Sequence, residues 1–235
     1  MPGRLFDFYF VPLLLFILLV GNSFARDLHV DPESGDDSND GVALPVRSIS
    51  RGIALAGPDD TVHLKPTVYY DYAGFYRKQG EAGRPVILDG HGATLEGSDT
   101  IDPDDWKEVE PGLYRSTVLP PHWNEAVLAR WFFLFADTMQ RMDRVLKGKS
   151  APLKQPYELG AGEWTFVRNE GAAEDDWSGT FYLKIADGKT LAESEIRWPV
   201  RSAGVQFSGD NGHLVIRNLT ATHPHNDGFN IHGDC

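Results

Sequence analysis

Apolar residues stand two apart in short bursts along this chain of 235 residues. Leu28 and Val30, Val62 and Leu64, and Val86 and Leu88 each place two apolar side chains on one face of a short strand. Near the end, GVQFSG (Gly204–Gly209) and GFNIHG (Gly228–Gly233) both read glycine, apolar, polar, apolar, polar, glycine, and they begin 24 residues apart. Val62 and Val86 show the same spacing independently.

A period near two dozen residues, made of short strands between Gly, Asn and Asp turns, predicts a parallel β-helix, a solenoid whose turns stack at about 4.8 Å. Val205 is then expected under Phe229 and Phe207 under Ile231, with Gln206, Ser208, Asn230 and His232 facing out. Leu214–Leu219 supplies another strand of the same turn. An antiparallel β-sandwich is the competing arrangement. Ser48–Ala56 (SISRGIALA) predicts a short α-helix, capped by Ser48, with Ile49, Ile53 and Ala56 on one face and Gly57-Pro58 as its stop.

The stretch from Ile101 to Glu193 breaks this pattern and predicts an inserted β-rich subdomain. Within it, Trp164 and Phe166 followed by Phe181, Leu183 and Ile185 predict a β-hairpin around a long acidic turn. Arg130–Leu146 predicts a strand through Leu134 or Phe135 and a turn at Asp137-Thr138, its aromatics serving the core. The solenoid is expected to resume at Glu195–Trp198. The expected organisation is therefore a leader to residue 25, a cap and first coils over 26–100, the insertion over 101–193, and resumed coils over 194–235.

Composition narrows the setting. Phe8–Val20 is almost wholly apolar and is followed by small residues before Ala25, the layout of a secretory signal peptide; an N-terminal membrane anchor is the alternative. Export to the periplasm, the cell surface or the medium follows, with no stable membrane insertion after cleavage. The single Cys, Cys235, allows no internal disulfide, so the core must hold the fold. Asn218-Leu219-Thr220 fits a glycosylation acceptor in a eukaryotic host. A net charge of −12 argues against nucleic acid as partner but leaves an acidic polysaccharide open, because a local cationic groove reverses the local field. The Asp-rich loop Asp31–Gly41 lacks EF-hand spacing and reads as a solvated turn.

The segment LHVDPESGDDSNDGVALPVRSISRGIALAGPDDTVHLKP resembles the N-terminal part of secreted right-handed parallel β-helix proteins of the pectate-lyase type, and HLVIRNLTATHPHNDGFNIHG is similar to one of their full turns. LFADTMQRMDR, GEWTF and GTFYLKIADG resemble an insertion found in β-helix glycosidases. The chain departs from that pattern at Pro58-Asp59-Asp60 and after Pro66, where a glycine is usual. The resemblance implies an all-β right-handed parallel β-helix, a monomer that acts on polysaccharide, and a family that includes lyases, glycosidases and proteins without known activity.

The candidate chemistry gathers in HPHNDGFNIHGDC, since four of the eight histidines lie from His213 onward. A lyase must neutralise a uronate carboxylate and place a base beside the neighbouring proton. Asp227 and Asp234 are the expected Ca2+ ligands, His232 the base, Asn230 a catalytic partner, and Gln206, His225 and Asn226 sugar contacts. A glycosidase needs two flanking carboxylates, for which Asp210, Asp227 and Asp234 are candidates. His223 and His225 lack an evident third ligand for zinc. Asn and Asp in such bends also serve simply to satisfy the backbone. The sequence therefore points to cleavage of a polysaccharide by β-elimination or hydrolysis, with a non-catalytic adhesin or carbohydrate-binding surface protein as the alternative. The last coil has no capping segment after it, so the chain is expected to be the N-terminal part of a longer protein.

Overall fold

Alternation and turn chemistry translate directly into elements. The computed structural model describes residues 24–142, 153–186, 188–233 and 235. The apolar leader and Asp234 lie outside the described residues. The first half of the chain runs β1 (Asp27–Val30), α1 (Ile49–Leu55), β2 (Thr61–Leu64), β3 (Val68–Tyr69), β4 (Ala73–Tyr76), β5 (Val86–Glu96) and β6 (Ser98–Thr100). Then come β7 (Lys107–Glu110), β8 (Leu113–Ser116), α2 (Glu125–Leu128), β9 (Leu134–Phe135), β10 (Gln140–Arg141), β11 (Glu163–Arg168) and β12 (Gly179–Lys184). The chain continues through α3 (Leu191–Ser194), β13 (Ile196–Pro199), β14 (Ala203–Ser208), β15 (Leu214–Thr222) and β16 (Asp227–Asn230).

The chain is mostly β, with two parallel sheets. One has the order β1-β2-β5-β15, with β3 also beside β5; the other has the order β16-β14-β4. Parallel neighbours cannot be joined by a tight turn, so the chain crosses to the second sheet before returning. Thus β2 leads through β3 to β4, β5 leads through the long excursion to β14, and β15 leads to β16. Val205 pairs with Phe229 on one side and Ala73 on the other, as the repeated glycine-bounded motif requires. Ser48 caps α1, its side chain accepting a hydrogen bond from the Arg51 amide at 3.2 Å, and Ile49 and Ile53 are buried against the parallel strands. Leu28, Val62, Leu88 and Val205 belong to the same core cluster.

Three details differ from the sequence reading. Val62 pairs with Leu88, not Val86; a slip of two residues keeps every side chain on its face, so alternation cannot detect it. The ladder between β14 and β16 ends at Gln206–Asn230, so Phe207 has no partner in Ile231, which is exposed; Phe207 instead meets Phe75 of β4 edge-on, with ring centroids 5.0 Å apart. Finally, β13 does not resume the parallel run. It pairs antiparallel with β6 and β9, because the strands that leave for and return from the excursion run in opposite directions side by side. The parallel pairing begins again at Ala203.

The excursion builds two antiparallel sheets, β10-β9-β13-β6 and β11-β12-β8-β7. The expected hairpin is present, with Trp164 opposite Leu183 and Phe166 opposite Phe181. Its aromatics close a second core, in which Phe133, Trp164 and Phe181 are fully buried. Among the described residues, no helix is long and apolar enough to cross a membrane.

Candidate functional site

The strongest concentration of chemistry lies on the outer face of the first parallel sheet. In β1 and β2 the tripeptides Leu28-His29-Val30 and Val62-His63-Leu64 bury both apolar residues and turn the histidine outward. Parallel pairing then stacks the outward positions into a column: His29 beside His63, His63 beside Asp89, and Asp89 beside Arg217. The imidazoles of His29 and His63 stack with centroids 5.3 Å apart, and those of His63 and His91 meet edge to edge, near-parallel, with centroids 5.1 Å apart.

His91 reaches this column because β5 bends after Asp89, where the ladder with β15 shifts register. Its φ of 50° and that of 90° at Gly92 make the bend, and the His91 amide donates to Asp89 Oδ1 at 3.1 Å. Asp89 also accepts from Arg217 Nε at 2.7 Å and Asn218 Nδ2 at 3.0 Å. Burial would raise its carboxyl, but these hydrogen bonds and the His91 charge outweigh burial and lower it to about 2. Asp27 Oδ1 lies 2.8 Å from His63 Nε2, and His63 Nδ1 lies 2.8 Å from His91 Nε2.

Beside the ladder runs an open groove of about 730 Å³, walled by Val42, Ala43 and Pro45, which follow the Asp-rich loop, and by Lys65 and Pro66. That loop is a set of solvated turns, as its composition suggests. Asp31 accepts from the Glu33 and Ser34 amides and the Ser34 hydroxyl, Asp36 from the Ser38 amide, and Asp40 from the Val42 and Ala43 amides. Asp37 holds the amides of Arg47 and Ser48, which ties the loop to the start of α1. Lys65 is paired with Asp31 at 3.1 Å and Glu33 at 2.7 Å.

The residues singled out from the sequence sit elsewhere, on and beside the second parallel sheet. Gln206 and Asn230 are register partners, but Asn230 is buried, not turned to solvent, and its Oδ1 has no hydrogen-bond partner among the described residues. The Gln206 amide group donates to its neighbour's carbonyl, Phe207 O, at 2.7 Å. His232 is exposed beyond the end of β16. His225, Asn226 and Asp227 are half-buried, tied by their amides to the carbonyls of Arg201 and Ser202. Asp210 is exposed in the turn after β14, and the Asp234 half of the expected Ca2+ pair falls outside the described residues.

His223 and His225 do not share a strand face, since β15 ends at Thr222. His223 Nδ1 lies 2.9 Å from Glu96 Oε2, a carboxylate the sequence reading did not single out. His225 packs on Trp131 of the excursion, centroids 5.8 Å apart. Burial, with the Arg130 charge adding to it, lowers its imidazole to about 4. Close by, Trp123 Nε1, Arg130 Nε, Trp131 Nε1 and His225 Nδ1 are buried without hydrogen-bond partners among the described residues. Through Trp131 and His225 the excursion meets the connection between β15 and β16.

The histidine ladder had a signal in the sequence. Leu28-His29-Val30 and Val62-His63-Leu64 place His at the same outward step of two strands predicted by alternation, though their 34-residue offset lies outside the 24-residue period. His91 had none, because only the bend of β5 carries it to the column.

No family model matches the chain, and no curated protein matches it. Among solved structures, that of XylC in complex with xylose matches 86% of this chain at 15% identity, with a TM-score of 0.58. The match covers 36% of the XylC chain, so this chain spans about a third of that protein's length. At this identity the likeness is one of fold.

Proposed function

We propose that the chain belongs to a secreted protein of right-handed parallel β-helix architecture that binds and cleaves an acidic polysaccharide, with the sugar lying in the groove beside His29, His63 and His91. The observation that carries this reading is the groove itself. It is open, has the volume of a small-molecule site, and is bordered by three imidazoles, two on paired parallel strands and the third on the bend of β5. The alternation of the two parallel sheets along the chain supports the architecture, and the similarity to a protein whose structure holds xylose supports the carbohydrate.

Of the two cleavage chemistries, the groove is better furnished for β-elimination. Lys65 in its wall, paired with Asp31 and Glu33, and Arg217 at the end of the histidine column, paired with Asp89, are cations that would exchange those partners for a uronate carboxylate. His29, the exposed end of the ladder, is placed to take the weakly acidic proton beside that carboxylate.

Incubation with a panel of uronate polymers, followed by unsaturated-uronate absorbance and reducing-end assays, tests the proposal. We expect absorbance with at least one polymer, and His29→Ala to lower the rate by about 100-fold, the usual weight of a general base. Reducing ends without absorbance would turn the reading to hydrolysis, and binding without either product to a non-catalytic carbohydrate-binding protein. Loss confined to His232→Ala would move the site to the second parallel sheet. Failure to bind any polymer would overturn the proposal.

A further inference from the structure

We infer that His63, His91 and Asp89 form a binding site for one divalent transition-metal ion of the Zn2+ class at the edge of the groove. One donor atom from each of the three falls within 4.8 Å of the other two. His63 Nδ1 and His91 Nε2 face each other at 2.8 Å, and each ring turns its other nitrogen to a carboxylate. Asp27 Oδ1 lies 2.8 Å from His63 Nε2, and Asp89 Oδ1 lies 3.8 Å from His91 Nδ1. For His63 this is the arrangement of a metal-ligating histidine, whose far N–H is held by a carboxylate so that the near nitrogen presents its lone pair, while Asp89, at 3.8 Å beyond hydrogen-bond reach of His91 Nδ1, supplies a ligand of its own.

The same pairing explains the tautomer. With the His63 Nε2–H donated to Asp27, Nδ1 is left bare and aimed at His91. A tetrahedral ion bound at about 2.05 Å from each nitrogen needs them about 3.3 Å apart, so the pair must open by roughly half an ångström. His91 can supply that movement, since it is half exposed on the Gly90–His91–Gly92 bend. His63 stays fixed, held by Asp27 and by its stack on His29.

Charge at the site favours a cation. Asp27 and Asp89 both face it, against the single guanidinium of Arg217 on Asp89. The donor set, two imidazoles and one carboxylate, selects Zn2+, Ni2+ or Cu2+ over Ca2+, which takes oxygen ligands alone. Three protein ligands leave one position open to water or to a sugar oxygen, and His29 stays free of the ion.

The test uses the untagged chain after chelator treatment, titrated with Zn2+ by calorimetry and with Co2+ by visible absorbance. No polysaccharide is present, so the result is separate from the function proposed for the groove. We expect one equivalent to bind, with the intense visible bands of tetrahedral Co2+. His91→Asn, which keeps a residue suited to positive φ on an exposed bend, is expected to weaken Zn2+ binding at least about 100-fold, and Asp27→Asn about 10- to 100-fold. His122→Asn, a histidine outside the groove, is expected to leave it unchanged. Equal affinity in all these proteins, or no binding to the parent chain, would overturn the site. Circular dichroism on each variant separates loss of the ion from loss of the fold.

Discussion

Glu96 is a buried carboxylate with every neighbour arranged around it. It accepts from the Ser98 hydroxyl at 2.5 Å, the Ser98 amide at 2.9 Å and Thr222 Oγ1 at 2.9 Å, and it faces His223 Nδ1 at 2.9 Å. Burial pushes its carboxyl up, but the hydrogen bonds from His223, Ser98 and Thr222 outweigh this and bring it from an ordinary 4.5 down to about 2. A carboxyl lowered on folding stabilises the fold above its unfolded value, and that stabilisation fades as pH falls from about 4.5 toward about 2. The amount at stake is on the order of 3 kcal/mol. Glu96→Gln is therefore expected to lower the urea unfolding free energy by about 2–3 kcal/mol at neutral pH and to flatten the acid limb of stability against pH. A variant that unfolds like the parent at neutral pH and along the acid limb would show that His223 and Ser98 contribute nothing through this carboxylate.

At the scale of elements, α1 lies close on the first parallel sheet because position 52 has no side chain. A Cβ on Gly52 would stand 2.7 Å from Val30 Cγ2 and 3.0 Å from Val62 Cγ1. Alanine gains about 1 kcal/mol of helix propensity there. It meets the methyls of two buried, β-branched side chains with little freedom to move, and overpacking of that kind costs about 1–3 kcal/mol. Gly52→Ala is thus expected to be net destabilising by up to about 2 kcal/mol in chemical denaturation, and stabilisation would show that the helix can lift off the sheet. The helix itself was legible from Ser48, the spacing of Ile49 and Ile53, and Gly57-Pro58, because caps and faces are local. The bend that makes β5 a strand of 11 residues was not, since it answers to the register of β15 more than a hundred positions away.

In the molecule as a whole, two cores are separated along the chain. The parallel sheets and α1 share one, and the aromatic excursion closes its own. Phe181 is fully buried among Phe133, Trp164 and Phe166. Phe181→Ala is expected to cost about 3–5 kcal/mol. In hydrogen exchange the loss should fall on β8, β11 and β12 while β5 and β14 keep their protection. Equal loss throughout would mean that both cores unfold as one unit. By itself the sequence determined the short strands, the pairing of Val205 with Phe229, though not its burial, since Phe229 is exposed, and the hairpin around Phe181, because alternation, glycine spacing and aromatic clustering act within a few residues or repeat at a fixed interval. It also placed the chemistry on the HPHNDGFNIHG stretch, where the histidines are dense in the chain. Only the tertiary structure decided that His29, His63, Asp89 and Arg217 form one column and that β13 closes the excursion. The reason is that parallel pairing joins residues tens to more than a hundred positions apart, and a slip of two leaves the hydrophobic pattern unchanged.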